Sequence, residues 1–398
     1  MLIAGCHDST EPKPPVPLLL SDIAASYYAT CGIALDGAAY CWGNGRYGEI
    51  GVDSADDCSS VPDEDPCALT ARRVAGGLTF THIVGGGAQF CALTAAGLVY
   101  CWGDDRLGQL GTADTAAICG LSAPGPCART PQLAQLPPPA IAVSAGGSHT
   151  CAVVDASYCW GYGGQGRLGL GTYTDEVVPR VIAAGMRFST VVAGGSFTCG
   201  IAAADSLAYC WGFNHLGQLG DSTTTDHALP QPVADTTKYV ELVVGLAHAC
   251  GLTTQGLARC WGAAGEGQLG LPATQDCGGY LCSITPMPVS GSLQFTELAA
   301  GSFTCGITTT ASYCWGYIPG LDSLFSAPKA FGTLGTAGGT PFTRVSVAYS
   351  HACGITAANE AYCWGVEYHG TLGDGPAEST GGVPVLVIAP DSTETGPR

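Results

Sequence analysis

Cys41-Trp42-Gly43 is the first of seven Cys-Trp-Gly copies in this chain, and their recurrence decides the fold. Successive copies are separated by 60, 58, 51, 50, 54 and 49 residues, and together they hold all seven tryptophans of the chain. A period of this size is typical of repeat architectures. The other copies are Cys101-Trp102-Gly103, Cys159-Trp160-Gly161, Cys210-Trp211-Gly212, Cys260-Trp261-Gly262, Cys314-Trp315-Gly316 and Cys363-Trp364-Gly365.

Each copy has a second cysteine 8 to 11 residues upstream. In the first unit the segment reads Cys31-Gly-Ile-Ala-Leu-Asp-Gly-Ala-Ala-Tyr-Cys41, which is two short apolar runs around an Asp-Gly turn. That pattern predicts a β-hairpin in every unit. The upstream cysteines of the other units are Cys91, Cys151, Cys199, Cys250, Cys305 and Cys353.

Two further strand-like runs flank each hairpin. One precedes it and ends in Gly-Gly, as in residues 188–195, and the other follows a loop such as Leu216-Gly-Gln-Leu-Gly220, as in residues 178–182. Four strands in each of seven units, with very little helix, predict an all-β, seven-bladed β-propeller built from repeats of about 50–60 residues. We expect residues 18–388 to form this single domain. The last strand, 383–388, should join the blade that residues 18–25 begin.

Composition limits the classes of partner. Only 12% of the 398 residues are charged, and 32 acidic against 14 basic residues give a net charge of −18. A surface of this sign repels phosphate backbones, so we expect no nucleic-acid partner.

The 21 cysteines predict a disulfide framework. Fourteen form the seven hairpin pairs, and six more form local pairs, Cys58 with Cys67, Cys119 with Cys127, and Cys277 with Cys282. Cysteines that face each other across a hairpin are close enough to bond, whereas no Cys-x-x-Cys clamp favours a metal. Ten disulfides indicate an oxidising compartment outside the cytosol.

The remaining cysteine, Cys6, follows Leu2-Ile3-Ala4-Gly5, a run similar to the lipobox of bacterial lipoproteins. We interpret residues 1–6 as the remnant of a lipoprotein signal, residues 7–17 as a Pro-rich tether and residues 389–398 as a flexible tail. The alternative is an ordinary disordered N-terminus with Cys6 a stray thiol. No other segment has the run of about 18 apolar residues that a membrane span needs, so membrane contact is expected only through a lipid anchor at Cys6.

The repeat resembles that of the regulator of chromosome condensation family. The resemblance rests on Gly-Gly-Ser-His-Thr-Cys-Ala-Val and Tyr-Cys-Trp-Gly within residues 146–161, and on Leu-Gly-x-Leu-Gly loops. It implies a seven-bladed propeller, with guanine-nucleotide exchange and chromatin binding in eukaryotic members and binding of other proteins in secreted bacterial members. The acidic surface and the cysteines depart from the exchange factors, and no exchange-factor residues can be matched. The sixth unit has residues 317–331 in place of the Leu-Gly loop, so its blade is expected to be irregular.

Identical placement of tryptophan in every unit indicates packing between blades, with the indole N–H free to reach a carbonyl. A ring of tryptophans that stacks a carbohydrate or a base is the less favoured alternative.

Three histidines, His149, His248 and His351, share one position, two residues before the first cysteine of units 3, 5 and 7. An acid–base or metal role is conceivable if they converge near the axis. We favour packing or turn capping, because the other units tolerate different residues there. Those residues are Ala29, Gln89, Phe197 and Phe303.

Other chemistry finds little support in the sequence. The acidic run from Asp53 to Asp65 could bind Ca²⁺ through oxygens, but it lacks the spacing of a calcium loop and we favour a solvated acidic segment. No catalytic signature or nucleotide-binding motif is found. We therefore expect no cofactor and no enzymatic activity.

Variable segments follow Trp-Gly, and they are longest and Cys-paired in units 1, 2 and 5, near residues 44–70, 104–130 and 263–286. Rigid variable loops on a repeating scaffold are typical of a binding surface. The sequence predicts an exported, lipid-anchored, monomeric scaffold of the bacterial cell envelope that binds a protein or a surface glycan through these loops. The alternatives are a guanine-nucleotide exchange regulator and an envelope hydrolase or lyase.

Overall fold

The computed structural model describes residues 16–52, 66–113, 117–120, 124–182, 185–272, 275–321, 323–333, 339–375 and 382–390. These residues form seven separate antiparallel sheets. In this part of the chain the only helical element is a single 3₁₀ turn at Gly164–Gly166. The predicted all-β, seven-bladed propeller is confirmed.

Each blade contains four strands that follow one another from the axis outward. The innermost strands are β1 (Leu20–Ala25), β5 (His82–Gly85), β10 (Ala142–Ala145), β14 (Phe188–Ala193), β18 (Tyr239–Val244), β23 (Glu297–Ala300) and β27 (Phe342–Val347). The second strands are β2 (Ala29–Ala34), β6 (Gln89–Leu93), β11 (His149–Val153), β15 (Phe197–Ala202), β19 (His248–Thr253), β24 (Thr304–Ile307) and β28 (His351–Thr356).

The third strand of each blade carries Cys-Trp-Gly. These strands are β3 (Ala39–Asn44), β7 (Val99–Asp104), β12 (Ser157–Gly161), β16 (Ala208–Gly212), β20 (Ala258–Ala263), β25 (Ser312–Ile318) and β29 (Ala361–Gly365). The outer strands are β4 (Cys67–Arg73), β9 (Gly125–Leu133), β13 (Glu176–Val181), β17 (His227–Pro232), β22 (Leu281–Pro288), β26 (Ser323–Phe331) and β30 (Val385–Leu386). Two blades gain a fifth, outermost strand, β8 (Ala117–Cys119) beside β9 and β21 (Gln275–Asp276) beside β22.

A disulfide joins the second and third strands of every blade. The paired cysteines lie directly opposite each other in the strand register, and their Cα atoms are 4.0 or 4.1 Å apart. Closing so short a loop stabilises a fold by about 2 to 3 kcal/mol. The bonded pairs are Cys31–Cys41, Cys91–Cys101, Cys151–Cys159, Cys199–Cys210, Cys250–Cys260, Cys305–Cys314 and Cys353–Cys363.

The seven tryptophans are fully buried at the junctions between blades. Trp102, for example, reaches back to the preceding blade, where its Nε1 donates to the carbonyl of Glu49 at 2.9 Å. A Cβ added to Gly51 of that same loop would lie 3.2 Å from this Nε1. In unit 1 the loop of residues 47–51, Tyr-Gly-Glu-Ile-Gly, therefore supplies both an acceptor and a close approach for the indole of the next blade. Similar bonds run from Trp42 to Thr371, from Trp160 to Gln109 and from Trp261 to Gln218.

The glycine of Cys-Trp-Gly is required by its backbone. Gly43 has φ +100°, in the region that residues with a side chain rarely adopt. A Cβ at this position would lie only 2.7 Å from the carbonyl oxygen of Tyr28.

Blade 6 is complete but differs where the sequence lacks the Leu-Gly loop. β25 and β26 extend into a tight hairpin, with Ile318 paired to Ser323. The next tryptophan, Trp364, packs instead between Phe331 and Phe342, each with a ring centroid 5.1 Å away.

Ring closure differs from the prediction. The final strand does not join the sheet of the first blade, because β30 pairs with β29 and completes blade 7. Residues 16–18 instead form backbone bonds with residues 387–389. The junction itself repeats the pattern of the others, since Leu20 N donates to Asn359 O at 2.8 Å just as Phe80 N donates to Gly37 O. The circle therefore closes by the contact that joins neighbouring blades elsewhere.

Candidate functional site

The strand order makes the described ends of all the variable segments emerge on one face. Because the strands of a blade alternate in direction, the turn between first and second strands and the connection between third and outer strands emerge on the same side. We call this side the loop face. The turns between second and third strands, such as residues 35–38, emerge on the opposite face.

The described parts of segments 44–70, 104–130 and 263–286 all lie on the loop face. Cys119–Cys127 joins β8 to β9, and Cys277–Cys282 closes the turn between β21 and β22. Cys67 is also disulfide bonded. Its predicted partner Cys58 and the acidic run from Asp53 to Asp65 lie outside the described residues, as does Cys6.

A cluster of tyrosines occupies the loop face where blade 7 meets blade 1. The ring centroids of Tyr27 and Tyr349 are 5.9 Å apart, and those of Tyr28 and Tyr368 are 5.5 Å apart. Tyr27 and Tyr28 touch edge to face at 6.4 Å, which joins the two pairs. Tyr28, Tyr349 and Tyr368 are 41%, 51% and 45% exposed, so three rings face solvent. We call these four residues the tyrosine cluster.

Sequence reasoning missed the tyrosine cluster, although a signal was present. The first turn of units 2, 3 and 4 contains Gly-Gly, whereas units 1 and 7 carry Tyr27-Tyr28 and Tyr349 there. A large aromatic residue where other units have a Gly-Gly turn is the sequence signal that distinguishes units 1 and 7. Only the closed ring of blades brings the first and last units together.

Arginines on the loop face stack on further tyrosines. The Arg106 guanidinium lies 4.3 Å from the ring centroid of Tyr47, in the neighbouring blade, and Arg167 lies 4.6 Å from that of Tyr162. Arg106 also forms an ion pair with Asp104 at 2.8 Å, and this hydrogen bond raises the pKa of the arginine. These cations are therefore held in place by the protein's own rings and carboxylates.

A groove of about 630 Å³ separates the loops of blades 4 and 5 on the same face. Its blade 4 wall contains Phe213 and His215, whose ring centroids are 4.5 Å apart. Its blade 5 wall is the disulfide-closed turn with Asp276 and Tyr280.

The three histidines are buried and each bonds a different threonine of the next blade. Nε2 lies 2.8 Å from Thr198 Oγ1 for His149, 2.7 Å from Thr304 Oγ1 for His248 and 2.7 Å from Thr30 Oγ1 for His351. Burial lowers the pKa of His248 and His351 to about 4, and that of His149 well below its usual value. The histidines are thus neutral bridges between blades.

In other units, the residue at this histidine position also packs against a complementary residue of the next blade. Phe197 shares a buried cluster with Ala249 of the next blade, and Phe303 shares one with Ala352. A polar pair or a large–small apolar pair therefore fills each of these junctions. In unit 2, Gln89 Nε2 donates to Gly146 O at 3.0 Å.

The central cavity, about 270 Å³, is lined by the innermost strands. Asp22 at its rim bonds His82 at 2.7 Å and Arg344 at 2.6 Å, and accepts from Ile83 N at 3.0 Å. Burial raises the pKa of Asp22, but the His82 hydrogen bond and the charges of His82 and Arg344 outweigh it and hold the pKa below its ordinary value.

Other rim side chains also cap the N–H groups of a neighbouring inner strand. Ser346 Oγ accepts from Ala25 N at 2.9 Å, and Ser144 Oγ accepts from Ala193 N at 3.0 Å. Among the residues that the structure describes, no three His, Cys, Asp or Glu side chains form a group that could hold a metal ion. Within the same residues, no helix is long and apolar enough to cross a membrane.

Comparison with known proteins agrees with this geometry. Sequence models of the regulator of chromosome condensation (RCC1) repeat match residues 20–49, 96–153, 157–201 and 205–252. The Ultraviolet-B receptor UVR8 of Arabidopsis thaliana is 30% identical over 281 residues, which are 67% of this chain and 60% of that protein. The E3 ubiquitin-protein ligase HERC2 of Homo sapiens is 28% identical over 85% of this chain. This chain spans only 7% of HERC2 and less than two thirds of UVR8.

Solved structures show the same fold at lower identity. Human WBSCR16 superposes with a TM-score of 0.74 and 16% identity, covering 89% of this chain and 95% of its own. Yeast RCC1 (Prp20), solved bound to Kap60, gives a TM-score of 0.58 and 18% identity over 94% of this chain and 75% of that one. The chain therefore contains RCC1 repeats and folds as a seven-bladed propeller.

Proposed function

We propose that this propeller is an exported scaffold of the cell envelope, anchored by lipid at Cys6, that binds a partner protein through its loop face. The observation that carries the proposal is the tyrosine cluster. Tyrosine rings supply a large contact area at a low entropic cost and are enriched where proteins bind one another. Three of these four rings are exposed on the same face as the disulfide-closed loops.

The framework beneath the tyrosine cluster supports a binding role. Tyr28 directly precedes β2 and Tyr349 lies two residues before β28, and both strands are disulfide bonded to the third strands of their blades. Ser350 Oγ donates to Tyr27 O at 3.3 Å and ties the two turns together. A surface that is already ordered loses less entropy on association. Yeast RCC1, which shares the fold, has been solved bound to Kap60.

Co-purification from envelope extracts tests the binding face. The triple variant Y28A/Y349A/Y368A removes three exposed rings, and Tyr173→Ala is the matched control because Tyr173 is exposed on another part of the loop face. We expect one or more proteins to be recovered with the wild type and the control but not with the triple variant. Equal recovery by the triple variant would count against the proposal.

The compartment has its own test. Protein isolated from its native host, denatured without reductant, should show almost no free thiol if 20 of its 21 cysteines are bridged and Cys6 is lipidated. About 20 free thiols would place the chain in the cytosol and revive the exchange-factor alternative.

A further inference from the structure

The groove between blades 4 and 5 has aromatic walls that face each other across open space. Phe213 and His215 lie on the blade 4 side, and Tyr280, which is 68% exposed, lies on the blade 5 side. Such faces carry partial negative charge and attract cations.

Both walls of the groove are fixed in position. The Cys277–Cys282 bridge closes the blade 5 turn, Cys277 N donates to Tyr280 O at 2.9 Å, and Gly279 N donates to Asp276 Oδ1 at 2.6 Å. The blade 4 loop is tied to blade 5 by Ser222 N, which donates to Ile284 O at 2.9 Å. The groove is therefore formed before any ligand arrives.

Apart from histidines, the charged side chains that the structure describes around the groove are carboxylates. Asp276 lines it directly, and Asp226 lies behind His215 with its Oδ1 3.9 Å from the imidazole Nε2. Asp221 belongs to the same blade 4 loop. No lysine or arginine is found among the lining residues that the structure describes. Aromatic rings together with an unopposed carboxylate suit a cationic side chain.

We propose that this groove receives an arginine or lysine side chain from a basic segment of the partner protein. This inference rests on the proposed function, because it assigns one anchoring pocket of the loop face. The guanidinium or ammonium group lies between the rings of Phe213 and Tyr280 and bonds Oδ2 of Asp276, the carboxylate oxygen that does not accept from Gly279 N. The tyrosine cluster, at the junction of blades 7 and 1, supplies a separate contact.

A defined peptide tests the pocket directly. The probe is a fluorescent nine-residue Gly/Ser peptide with two arginines, compared with the same peptide carrying citrulline, which keeps the shape and removes the charge. Asp276→Asn keeps an acceptor for Gly279 N but removes the charge, and Tyr280→Ala removes one wall. The matched controls are Asp205→Asn, which alters a similar exposed turn cap on the opposite face, and Tyr173→Ala.

We expect the arginine peptide to bind the wild type and both controls alike, and to bind D276N and Y280A about threefold to tenfold more weakly. The citrulline peptide should not bind measurably. If D205N and D276N weaken binding of the arginine peptide equally, the peptide responds only to the net charge of the protein, and the proposal is overturned. An unchanged affinity of the arginine peptide for Y280A would also overturn the proposal. The same holds if a neutral oligosaccharide binds in the groove and the arginine peptide does not.

The two proposals can fail separately. If Y28A/Y349A/Y368A loses its native partner but D276N and Y280A behave as the wild type with the peptide, the pocket assignment is wrong and the binding face stands. If the wild type recovers no protein at all, the proposed function is wrong even where the groove binds arginine.

Discussion

Replacing His248 and Thr304 together by Phe and Ala should make the fold less sensitive to acid. The wild-type pair is a buried hydrogen bond between blades 5 and 6. Thr304 Oγ1 also donates to Gln268 O at 2.8 Å, so its oxygen accepts the hydrogen bond that His248 Nε2–H donates. The double variant copies the Phe197–Ala249 and Phe303–Ala352 junctions that the chain already contains.

The size of the effect follows from the pKa of His248, which burial lowers from 6.5 to about 4. Above pH 6.5 the histidine is neutral in both the folded and the unfolded chain, and it contributes no pH dependence. Between pH 6.5 and pH 4 the unfolded chain binds a proton that the folded chain does not. The free energy of unfolding therefore decreases as the pH is lowered through this range. The loss reaches about 3 kcal/mol near pH 4 and then levels off.

Unfolding in guanidinium chloride without reductant, monitored by tryptophan fluorescence at several pH values from 7.5 to 4, measures the free energy of unfolding of the wild type and of the double variant. The stability of H248F/T304A relative to the wild type should rise by about 3 kcal/mol across that range. T304A alone should be less stable than the double variant, because the N–H of His248 loses its acceptor at a cost of about 1 to 3 kcal/mol. Parallel pH profiles for the wild type and the double variant would show that His248 is not a buried neutral bridge.

Two further substitutions test the junctions between blades. Asp22→Ala should lower the free energy of unfolding at pH 7 by about 2 to 3 kcal/mol, because Arg344 loses its ion pair and a backbone N–H of blade 2 loses its acceptor. Thermal denaturation measures this, and a change below the error of the method would contradict it. Trp160→Phe should cost about 1 kcal/mol more than Trp211→Phe, because Trp160 Nε1 donates to Gln109 O whereas Trp211 Nε1 has no acceptor among the described residues. Equal losses would show that the indole hydrogen bond contributes nothing.

Local sequence patterns were sufficient to predict the blades. Two cysteines 8 to 11 residues apart on either side of a turn are placed to face each other across a hairpin, and the strand register pairs them in every unit, as Cys31 with Cys41. Trp102 and its equivalents could be assigned to packing because their spacing repeats. These signals lie within one unit, where residues that are close in sequence are also close in space.

Features that depend on neighbouring blades could not be predicted in the same way. The threonine that bonds His351 is Thr30, at the other end of the chain. The tyrosine cluster likewise joins Tyr27 and Tyr28 of the first unit to Tyr349 and Tyr368 of the last. The prediction that the last strand joins the first blade was wrong for a related reason. A strand with the composition of β30 fits the outer edge of either blade 7 or blade 1, and only the completed ring decides which blade it joins.

Hydrogen–deuterium exchange of the propeller with its captured partner tests the binding face most directly. Slower exchange is predicted on the loop face, in residues 26–28, 348–350 and 366–372, and in residues 276–280 if the groove is engaged. Residues 35–38 and the other turns of the opposite face should exchange as in the free protein. Protection confined to those opposite turns or to the rim of the central cavity would contradict the account.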